Sequence, residues 1–421
     1  MNKVLISAYA CVPDRGSEEG NGWYYSSLIS EHGYQVWCLT RDVGKTQIER
    51  KLADCPHPNL TFCYVTLPAW VDKAYHRGLF GLYFHYLYWQ WAAWRKAAEL
   101  QKTHQFDLVH HVSYTSLQLG SFLYKLNRPF IYGPVGGGQE APDAMRRYFR
   151  QHWRKEKLRS WVSRLLLRFN PGCYQSVRRA RWVLVWNEDT RRMVRALGRS
   201  TAVAKVFGGV GRLFIPAQPP QRDPGPVLEL VWVGRLMPRK ALELSLHGLS
   251  RVAPRVPVHL TVVGDGEMGG YMAEYVATYG LGTRVSWVGR VDYERVREYY
   301  RQADVFLFTS LRDTGPAQLM EAMAYALPVV TLNLHGQAEL VNDATGIRVP
   351  VSDPESVATG LAKAIEWMYD HPAERRQMGL NAYQFARQQD WALKVDRLVE
   401  TYYKPILELN DLKTPSENPV S

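Results

Sequence analysis

The stretch VFLFTSLRDTGPAQLMEAMAYALPVVTL, residues 305–332, contains an apolar run, a polar loop, a helix-like segment and a second apolar run. Short apolar runs of this kind predict buried parallel strands, and the segment between them has the length of a covering helix. The same alternation recurs at Leu228–Val233, at His259–Val263 and, near the start, at Val4–Tyr9. The sequence therefore predicts the α/β class, with parallel sheets covered by helices.

A proline-rich segment divides this pattern into two halves. Five prolines lie in IPAQPPQRDPGP, which denies the backbone regular structure and predicts a linker at 215–227. With 421 residues the chain can bury two cores, so we expect doubly wound domains at 1–214 and 228–388. A helix is predicted at 389–409, crossing back to the N-terminal domain, followed by a disordered tail at 410–421.

The composition and the spacing of certain residues restrict the class of protein to which the chain can belong. No apolar run approaches the length of a membrane span, and the opening MNKVLISAYACVP lacks the apolar segment and cleavage site of a signal peptide. Five scattered cysteines lack the spacing of zinc ligands. These features predict a cytoplasmic protein with reduced thiols.

The positive charge is concentrated in one segment. The formal net charge is +12, and residues 144–181 contain twelve Arg and Lys against one acid, Glu156, with Trp153, Trp161 and Phe169 among them. This mixture is typical of helices in a lipid headgroup region, so we predict a peripheral protein that contacts an anionic membrane through 144–181. The alternative is a solvated basic face. The aromatic segment 70–100 is interpreted as packed core or as a rim for a lipid-like acceptor.

Candidate binding residues follow the predicted strands of the second half. Arg235 and Lys240, in VGRLMPRK, can converge on a diphosphate and neutralise the charge that grows on it as a leaving group. Asp313 and Glu321 follow the strand at Val305–Thr309, at the sheet edge where open α/β sheets bind ligands. Carboxylates accept hydrogen bonds from vicinal sugar hydroxyls.

The order and spacing of these residues resemble the donor-binding signature of glycosyltransferase family 4. The similarity extends over Asp313-x7-Glu321, the following Ala-Met-Ala and Pro-Val-Val, and the downstream HGQAELVNDATGIRV. It implies the GT-B architecture, two Rossmann-like doubly wound domains facing across a cleft. It also implies a retaining, metal-independent transferase of the bacterial polysaccharide-assembly type, with a nucleoside diphosphate sugar as donor and no cofactor.

The resemblance implies a role for each residue of the signature. Arg235 and Lys240 would bind the diphosphate, Glu321 the ribose and Asp313 the transferred sugar. Four glycines and one threonine would complete the donor site: Gly16, Gly234, Thr314, Gly315 and Gly336.

In the first half, FDLVHHVSYTSLQLG places His110 and His111 at the end of a predicted strand. The family has a histidine near this point that contacts the donor sugar or supports catalysis, and either residue could fill that role or pack in the core. The acceptor is expected at the loop GGGQE, which comprises Gly136, Gly137, Gly138, Gln139 and Glu140. The aromatic and basic first half favours a lipid-linked glycan as acceptor.

Three other functions share parts of this pattern. A GT-B epimerase or phosphorylase would have the same diphosphate site. A non-catalytic donor-binding subunit is suggested by Asp313, which stands where the family usually has Glu, and by Pro316, which has no amide hydrogen to offer a phosphate. Nucleic-acid binding would use the basic charge, but this charge accompanies a sugar-nucleotide signature, so no nucleic-acid partner is predicted.

Overall fold

A computed structural model describes residues 1–198, 202–206, 208–222 and 225–411. The chain forms two compact units. Unit 1 comprises Met1–Gly138, Trp161–Val206 and the chain from Trp391, and unit 2 comprises Gln139–Ser160 and Phe207–Asp390. Part of the predicted tail, residues 412–421, lies outside the described residues.

Unit 1 contains a seven-stranded parallel sheet in the order β3-β2-β1-β4-β5-β6-β7. Its strands β1, β4 and β5 are buried along almost their whole length, as the apolar runs predict for a sheet covered on both faces. The strands are β1 Lys3–Ala8, β2 Gln35–Thr40, β3 Leu60–Tyr64, β4 Leu108–Ser113, β5 Phe130–Val135, β6 Trp182–Val185 and β7 Val203–Lys205.

Unit 2 contains a six-stranded parallel sheet in the order β10-β9-β8-β11-β12-β13. The strand order reverses beside β8, which pairs with both β9 and β11. Such a reversal is where open α/β sheets form ligand crevices. The strands are β8 Leu228–Val233, β9 Val258–Val263, β10 Val285–Gly289, β11 Val305–Phe308, β12 Val329–Leu332 and β13 Gly346–Val349.

Helices connect most of the successive strands in both units, which confirms the α/β prediction. They are α1 Ser17–Glu31, α2 Lys45–Asp54, α3 Ala69–Tyr75, α4 Gly78–His104, α5 Trp153–Phe169, α6 Pro171–Arg179, α7 Glu188–Ala196, α8 Leu242–Ser250, α9 Met272–Thr278, α10 Val296–Gln302, α11 Ala317–Ala324, α12 His335–Leu340, α13 Pro354–Asp370, α14 Pro372–Arg387, α15 Trp391–Leu398 and α16 Lys404–Asp411. A π-helical turn, Val399–Tyr403, joins the last two. Pro405 has no amide hydrogen for the preceding turn, which accounts for this widening.

The unit boundaries differ from the predicted domains. Residues 139–160, predicted in the first domain, belong to unit 2, and so does the proline-rich segment. That segment is tied to unit 2 because Pro216 accepts a hydrogen bond from Tyr383 at 2.7 Å and Arg222 donates to three backbone carbonyls. Asp223 and Pro224 of the predicted linker lie outside the described residues.

Candidate functional site

A cavity of about 540 Å³ opens in unit 2 at the carboxyl ends of β8, β9 and β10. Arg235 and Arg290 line it, and neither side chain has a hydrogen bond or an ion pair with any part of the chain that the structure describes. Two unpaired guanidinium groups make this cavity suited to phosphate oxygens. The lining is completed by Val233, Gly234, Val263, Gly264, Asp265, Gly266, Val291 and Val296.

Two glycines let the loops of this cavity approach each other. Gly264 has a φ of 128°, and a Cβ atom there would lie 1.9 Å from the carbonyl oxygen of Gly234. Side chains do not tolerate either condition. The backbone at Gly234, a predicted donor residue, is thereby fixed against the loop that follows β9.

Lys240 and Asp313 lie on the loops that follow β8 and β11, and they form an ion pair. The Lys240 ammonium lies 2.5 Å from the Asp313 carboxylate, and Arg239 donates to the same oxygen at 3.0 Å. Arg239 also accepts, through its carbonyl oxygen, hydrogen bonds from Leu311 and Ser310, which fastens the turn that carries Lys240 to the end of β11. The two residues that the sequence placed 73 positions apart are therefore in contact.

Burial and charge shift the pKa of both partners. Burial lowers the pKa of Lys240 to about 8, although the charge of Asp313 acts in the opposite direction. Burial alone would raise the pKa of Asp313, but the charges of Lys240 and Arg239 outweigh it and hold that pKa below its usual range. The pair is thus ionised at neutral pH, with a lysine that loses its proton unusually easily.

Glu321 lies in α11 and is oriented by two tyrosines. The hydroxyl of Tyr293 donates to its Oε1 at 2.9 Å, and that of Tyr300 donates to its Oε2 at 3.2 Å. Burial raises the pKa of Glu321, while these bonds and the charge of Lys240 lower it. The charge of Lys240 therefore acts on Glu321 as well as on Asp313.

The loop after Asp313 is held by residues from two other segments. A Cβ atom on Gly336 would lie 1.9 Å from the carbonyl oxygen of Thr314, so only glycine fits beside this loop. The Thr314 hydroxyl donates to Gln139 Oε1 at 3.1 Å. His335 Nε2 lies 2.9 Å from the carbonyl oxygen of Glu140. The predicted acceptor residues Gln139 and Glu140 therefore contact predicted donor residues or their neighbours within unit 2.

The other predicted acceptor residues belong to unit 1. Gly136 donates to the carbonyl oxygen of Thr115 at 2.8 Å, and Gly137 exchanges hydrogen bonds with the Thr190 hydroxyl. A Cβ atom on Gly138 would lie 2.2 Å from the sulfur of Met193. The three glycines thus form a fixed, closely packed loop.

The two histidines on β4, His110 and His111, differ in their hydrogen-bond partners. His110 is fully buried, with Nδ1 2.7 Å from the Tyr403 hydroxyl and Nε2 2.6 Å from the carbonyl oxygen of Gly133. Burial lowers its pKa to about 3. Because both ring nitrogens are occupied in the core, the catalytic role predicted for His110 does not fit its surroundings.

His111 is also buried, and burial lowers its pKa to about 4. Its Nε2 lies 3.3 Å from the carbonyl oxygen of Tyr114, whereas its Nδ1 has no partner among the described residues. Of the two histidines, His111 alone retains a ring nitrogen for another group.

At the start of α1, Gly16 occupies the N-cap with extended backbone, which other residues also adopt. Close packing instead requires glycine at Gly20 and Gly22, where a Cβ atom would lie 2.0 and 2.1 Å from backbone carbonyl oxygens of Arg15 and Ala10. The glycine requirement at these two positions, which both lie in α1, is therefore structural.

In the first half of the basic segment, residues 144–160, most of the cations form ion pairs. Glu156 is buried between Arg312, 2.6 Å away, and Arg159, 3.1 Å away. Burial opposes its ionisation, but these two charges lower its pKa below the usual value. Three more cations pair with carboxylates of unit 2: Arg147 with Glu355, Arg150 with Glu274, and Lys157 with Asp143. Residues 144–160 therefore lack most of the free charge predicted to meet a membrane.

Several residues of the site were not identified from the sequence. Arg290 and the two tyrosines at Glu321 are separated from the motif along the chain, so their proximity depends on the fold. Arg239 lies within VGRLMPRK, but its contact with Asp313 depends on the conformation of the turn. A basic residue directly after a predicted strand, as at Arg290, is the signal that could have found one of them. Among the described residues there is no group of three metal-ligating side chains and no helix long and apolar enough to cross a membrane.

Comparison with known proteins places these features in a family context. Residues 228–367, all in unit 2, match the family model described as glycosyl transferases group 1. Over 196 residues the chain is 29% identical to D-inositol 3-phosphate glycosyltransferase 2 of Catenulispora acidiphila, covering 44% of this chain and 45% of that protein. The chain spans less than half the length of the curated relatives it matches.

Solved structures resemble the whole chain. Anabaena HepE in complex with UDP and glucose superposes with a TM-score of 0.62 at 16% identity, covering 96% of this chain and 100% of that one. WaaG, a glycosyltransferase involved in lipopolysaccharide biosynthesis, superposes with a TM-score of 0.59 at 16% identity, covering 94% and 98%. The chain has the GT-B fold, and the match of residues 228–367 to the glycosyl transferases group 1 model supports a GT-B glycosyltransferase.

Proposed function

We propose that this protein transfers a sugar from a nucleoside diphosphate sugar to a glycan acceptor. The observation that carries the proposal is the cavity at the carboxyl ends of β8, β9 and β10, which two unpaired arginines line. A diphosphate is the part of the donor that two guanidinium groups bind best. The complex of Anabaena HepE with UDP and glucose supports a nucleoside diphosphate as the ligand of this fold.

The roles of the polar residues follow from their surroundings. Arg235 and Arg290 bind the diphosphate, and Lys240 offsets the charge that develops on it. Glu321, held by its two tyrosines, accepts hydrogen bonds from the ribose. Asp313 positions Lys240 and contacts the transferred sugar, and the backbone at Gly234, Thr314, Gly315 and Gly336 shapes the site. These cations perform the electrostatic work of a metal ion, so we propose a metal-independent reaction.

The proposed chemistry retains the anomeric configuration. The bond from the anomeric carbon to the diphosphate oxygen breaks, and the acceptor hydroxyl oxygen forms a bond to the same face of that carbon. The proton of the hydroxyl moves to the departing phosphate oxygen, so the nucleoside diphosphate leaves with one proton and the charges balance. His111 and the loops at Gly16 and at Gly136–Gly138 contribute to the binding of the acceptor or the sugar.

We further propose a family 4 enzyme of polysaccharide or glycolipid assembly that acts on a lipid-linked acceptor at the inner face of the cytoplasmic membrane. The role of WaaG in lipopolysaccharide biosynthesis supports this acceptor class. The exposed cations of residues 161–181 support a peripheral association with anionic lipid.

Donor binding is tested by a thermal-shift panel of nucleoside diphosphates and their sugars, because a ligand that binds the folded state raises the melting temperature. We expect at least one nucleoside diphosphate to stabilise the protein and its sugar conjugate to act likewise. The variant Arg235→Gln with Arg290→Gln should lose this shift, whereas Arg255→Gln, whose side chain pairs with Asp370 on the surface, should keep it. A panel without any stabilising nucleotide would contradict the proposal.

Transfer is tested with Lys240→Ala, which we expect to reduce turnover by at least about a hundredfold, because an electrostatic partner of the leaving group is lost. Lys363→Ala, an exposed lysine of unit 2, is the matched control. Circular dichroism and donor-free melting check the fold. Full activity of Lys240→Ala would refute the assignment, and an epimerised or phosphorolysed donor as the product would indicate the other GT-B reactions.

A further inference from the structure

Helix α4 of unit 1 has two opposite faces that are both rich in aromatic residues. Its inner face buries Tyr86, Trp89, Ala93 and Ala97 in the core. Aromatic residues also recur on its outer face at intervals of three and four, which places them on one side of the helix. We call these outer residues, with one from α3, the aromatic belt: Trp70, Phe80, Phe84, Tyr88 and Trp91.

Four of the five belt residues, Trp70, Phe84, Tyr88 and Trp91, have rings that contact one another. The ring of Trp70 lies 5.9 Å from that of Phe84 and 5.6 Å from that of Tyr88, and Tyr88 lies 5.4 Å from Trp91. Trp70 is 59% exposed and Phe80 62% exposed. Large aromatic side chains that touch one another in solvent usually mark an interaction surface.

Cations without carboxylate partners lie on α4, on the 3-10 turn that packs against it, and on α6. Arg95 lies over Trp91 at 5.2 Å, on the same helix. The 3-10 turn Phe122–Leu126 contacts both α4 and α6 and places Lys125 over Trp94 at 4.9 Å and Tyr124 under Arg179 at 5.5 Å. Within the described chain, none of the belt cations forms an ion pair with an acid; they are Arg95, Lys125, Arg178 and Arg179.

The nearby acids do not cancel this charge. Asp72 of α3 is exposed but accepts a hydrogen bond from His85, and Glu99 of α4 is 3.7 Å from Lys96. The belt cations contact only aromatic rings, one tyrosine hydroxyl and two side-chain amides. Exposed Trp and Phe near Arg and Lys without acidic partners match the boundary between lipid tails and anionic headgroups.

We infer that the aromatic belt and its four cations dock unit 1 on an anionic lipid bilayer. This inference rests on the proposed membrane-associated function and moves the contact away from residues 144–160, where four of the seven cations are paired with acids. The rings enter the headgroup boundary, and the cations face the lipid phosphates. The positive charge of the chain then serves attachment, while the donor cavity stays in unit 2.

The test is binding of the full chain to vesicles of phosphatidylcholine alone or with roughly a third phosphatidylglycerol, at low salt. We expect binding to the anionic vesicles only. Phe84→Ser with Trp91→Ser should weaken it by at least about tenfold, and Arg178→Gln with Arg179→Gln by a similar factor. A second pair, Trp70→Ser with Phe80→Ser, should reproduce the loss and covers the case in which the first pair folds poorly.

Matched controls come from unit 1 itself. Val43→Ser removes an exposed apolar side chain outside the belt, and Arg192→Gln with Arg195→Gln removes two cations that are paired with acids on α7. Both should bind vesicles within about twofold of the unmodified protein. Every variant should keep its thermal shift with the donor nucleotide, so a failure of the belt and a failure of the proposed function give different results.

Four outcomes would overturn the inference. The unmodified protein could ignore anionic vesicles, or both belt pairs could bind them as well as the controls do. The belt pairs could dissociate a dimer, seen by light scattering, while vesicle binding is unchanged. Finally, the basic pair could abolish binding to single-stranded RNA while leaving vesicle binding intact, which would assign these cations to a nucleic acid.

Discussion

Lys240 is buried, although the proposed function requires it to meet a charged ligand. Burial destabilises the ammonium form of its side chain, and the ion pair with Asp313, at 2.5 Å, partly offsets this destabilisation. A second anion at this position, such as the donor diphosphate, would stabilise the charged form further. If Lys240 binds the donor as proposed, donor binding and protonation of Lys240 are coupled.

This coupling predicts a pH dependence of donor binding. The pKa of Lys240 is lowered to about 8, so its charge is complete below that pH and is lost as the pH rises through it. We expect the KM for the donor to rise above pH 8, by up to about tenfold per pH unit, because the neutral amine no longer attracts the diphosphate. Steady-state kinetics across this range measure the effect.

Lys240→Arg provides the control for that experiment. A guanidinium group stays charged throughout the range, so the rise in KM should vanish in this variant even if its activity is lower. Titration of the donor itself would affect both proteins equally. An identical pH profile for the two proteins would mean that Lys240 does not contact the diphosphate.

Glu321 gives a second prediction at this scale. Tyr293→Phe removes the donor of one hydrogen bond to the carboxylate but leaves the ring in place. We expect donor affinity to fall by roughly fivefold to tenfold, since an oriented carboxylate becomes mobile. The readout is calorimetric affinity for a nucleoside diphosphate and for its 2′-deoxy form. If Glu321 binds the ribose, the variant should discriminate less between the two ligands; unchanged discrimination would speak against this role.

Single residues also mark the limit of what the sequence reveals. Lys240, Asp313 and Glu321 could be found because they lie in a recognisable pattern. Arg239 is adjacent to Lys240, but its contact with Asp313 depends on the conformation of a turn. His110 and His111 are neighbours with the same chemistry, and it is the contacts with Tyr403 and with the Gly133 carbonyl that show His110 to be committed to the core.

At the level of elements, the strand-end loops of unit 2 depend on close backbone contact. Gly336→Ala would place a methyl group 1.9 Å from the Thr314 carbonyl and displace the loop that carries Asp313. We expect at least about a tenfold loss of donor affinity with a modest fall in melting temperature, because the clash lies in a loop and not in the core. Isothermal titration calorimetry with the nucleotide and a thermal melt measure the two quantities.

Gly270→Ala is the matched control, since no atom lies within 4 Å of a Cβ at that position. Its affinity and melting temperature should equal those of the unmodified protein. Should Gly336→Ala bind nucleotide normally, the loop at Thr314 and Gly315 would have no part in the donor site.

The strands could be predicted from the sequence more readily than the assignment of each segment to one of the two units. Apolar runs identify β1, β8 and β11 because buried parallel strands are continuously hydrophobic. The segment 139–160 has no comparable signal, since its assignment to unit 2 comes from long-range pairs such as Glu156 with Arg312. The proline run likewise suggested a free linker, although Arg222 fastens it to carbonyl groups of unit 2.

In the molecule as a whole, the end of the chain completes the core of the first unit. Trp391, Val395, Leu398, Tyr403 and Ile406 are buried in unit 1, hundreds of residues from the strands that they cover. Removing them would expose those strands and leave His110 Nδ1 without its partner. The second unit has its own sheet and core and contains the cavity that Arg235 and Arg290 line.

Truncation after Asp390 should therefore affect the two units differently. We expect unit 1 to lose most of its stability, because several large side chains leave its core, each worth about 2–5 kcal/mol. Unit 2 should still unfold cooperatively, at a temperature that a nucleoside diphosphate raises. Calorimetry of the truncated chain measures both transitions. The variant Tyr403→Phe tests the same core with a smaller change. It should lower the free energy of unfolding of unit 1 by about 1–3 kcal/mol, because the buried imidazole of His110 loses a hydrogen-bond partner. Nucleotide binding should be unchanged. If truncation instead abolished the nucleotide-dependent transition, the donor site would depend on unit 1, and the independence of the second core would be wrong.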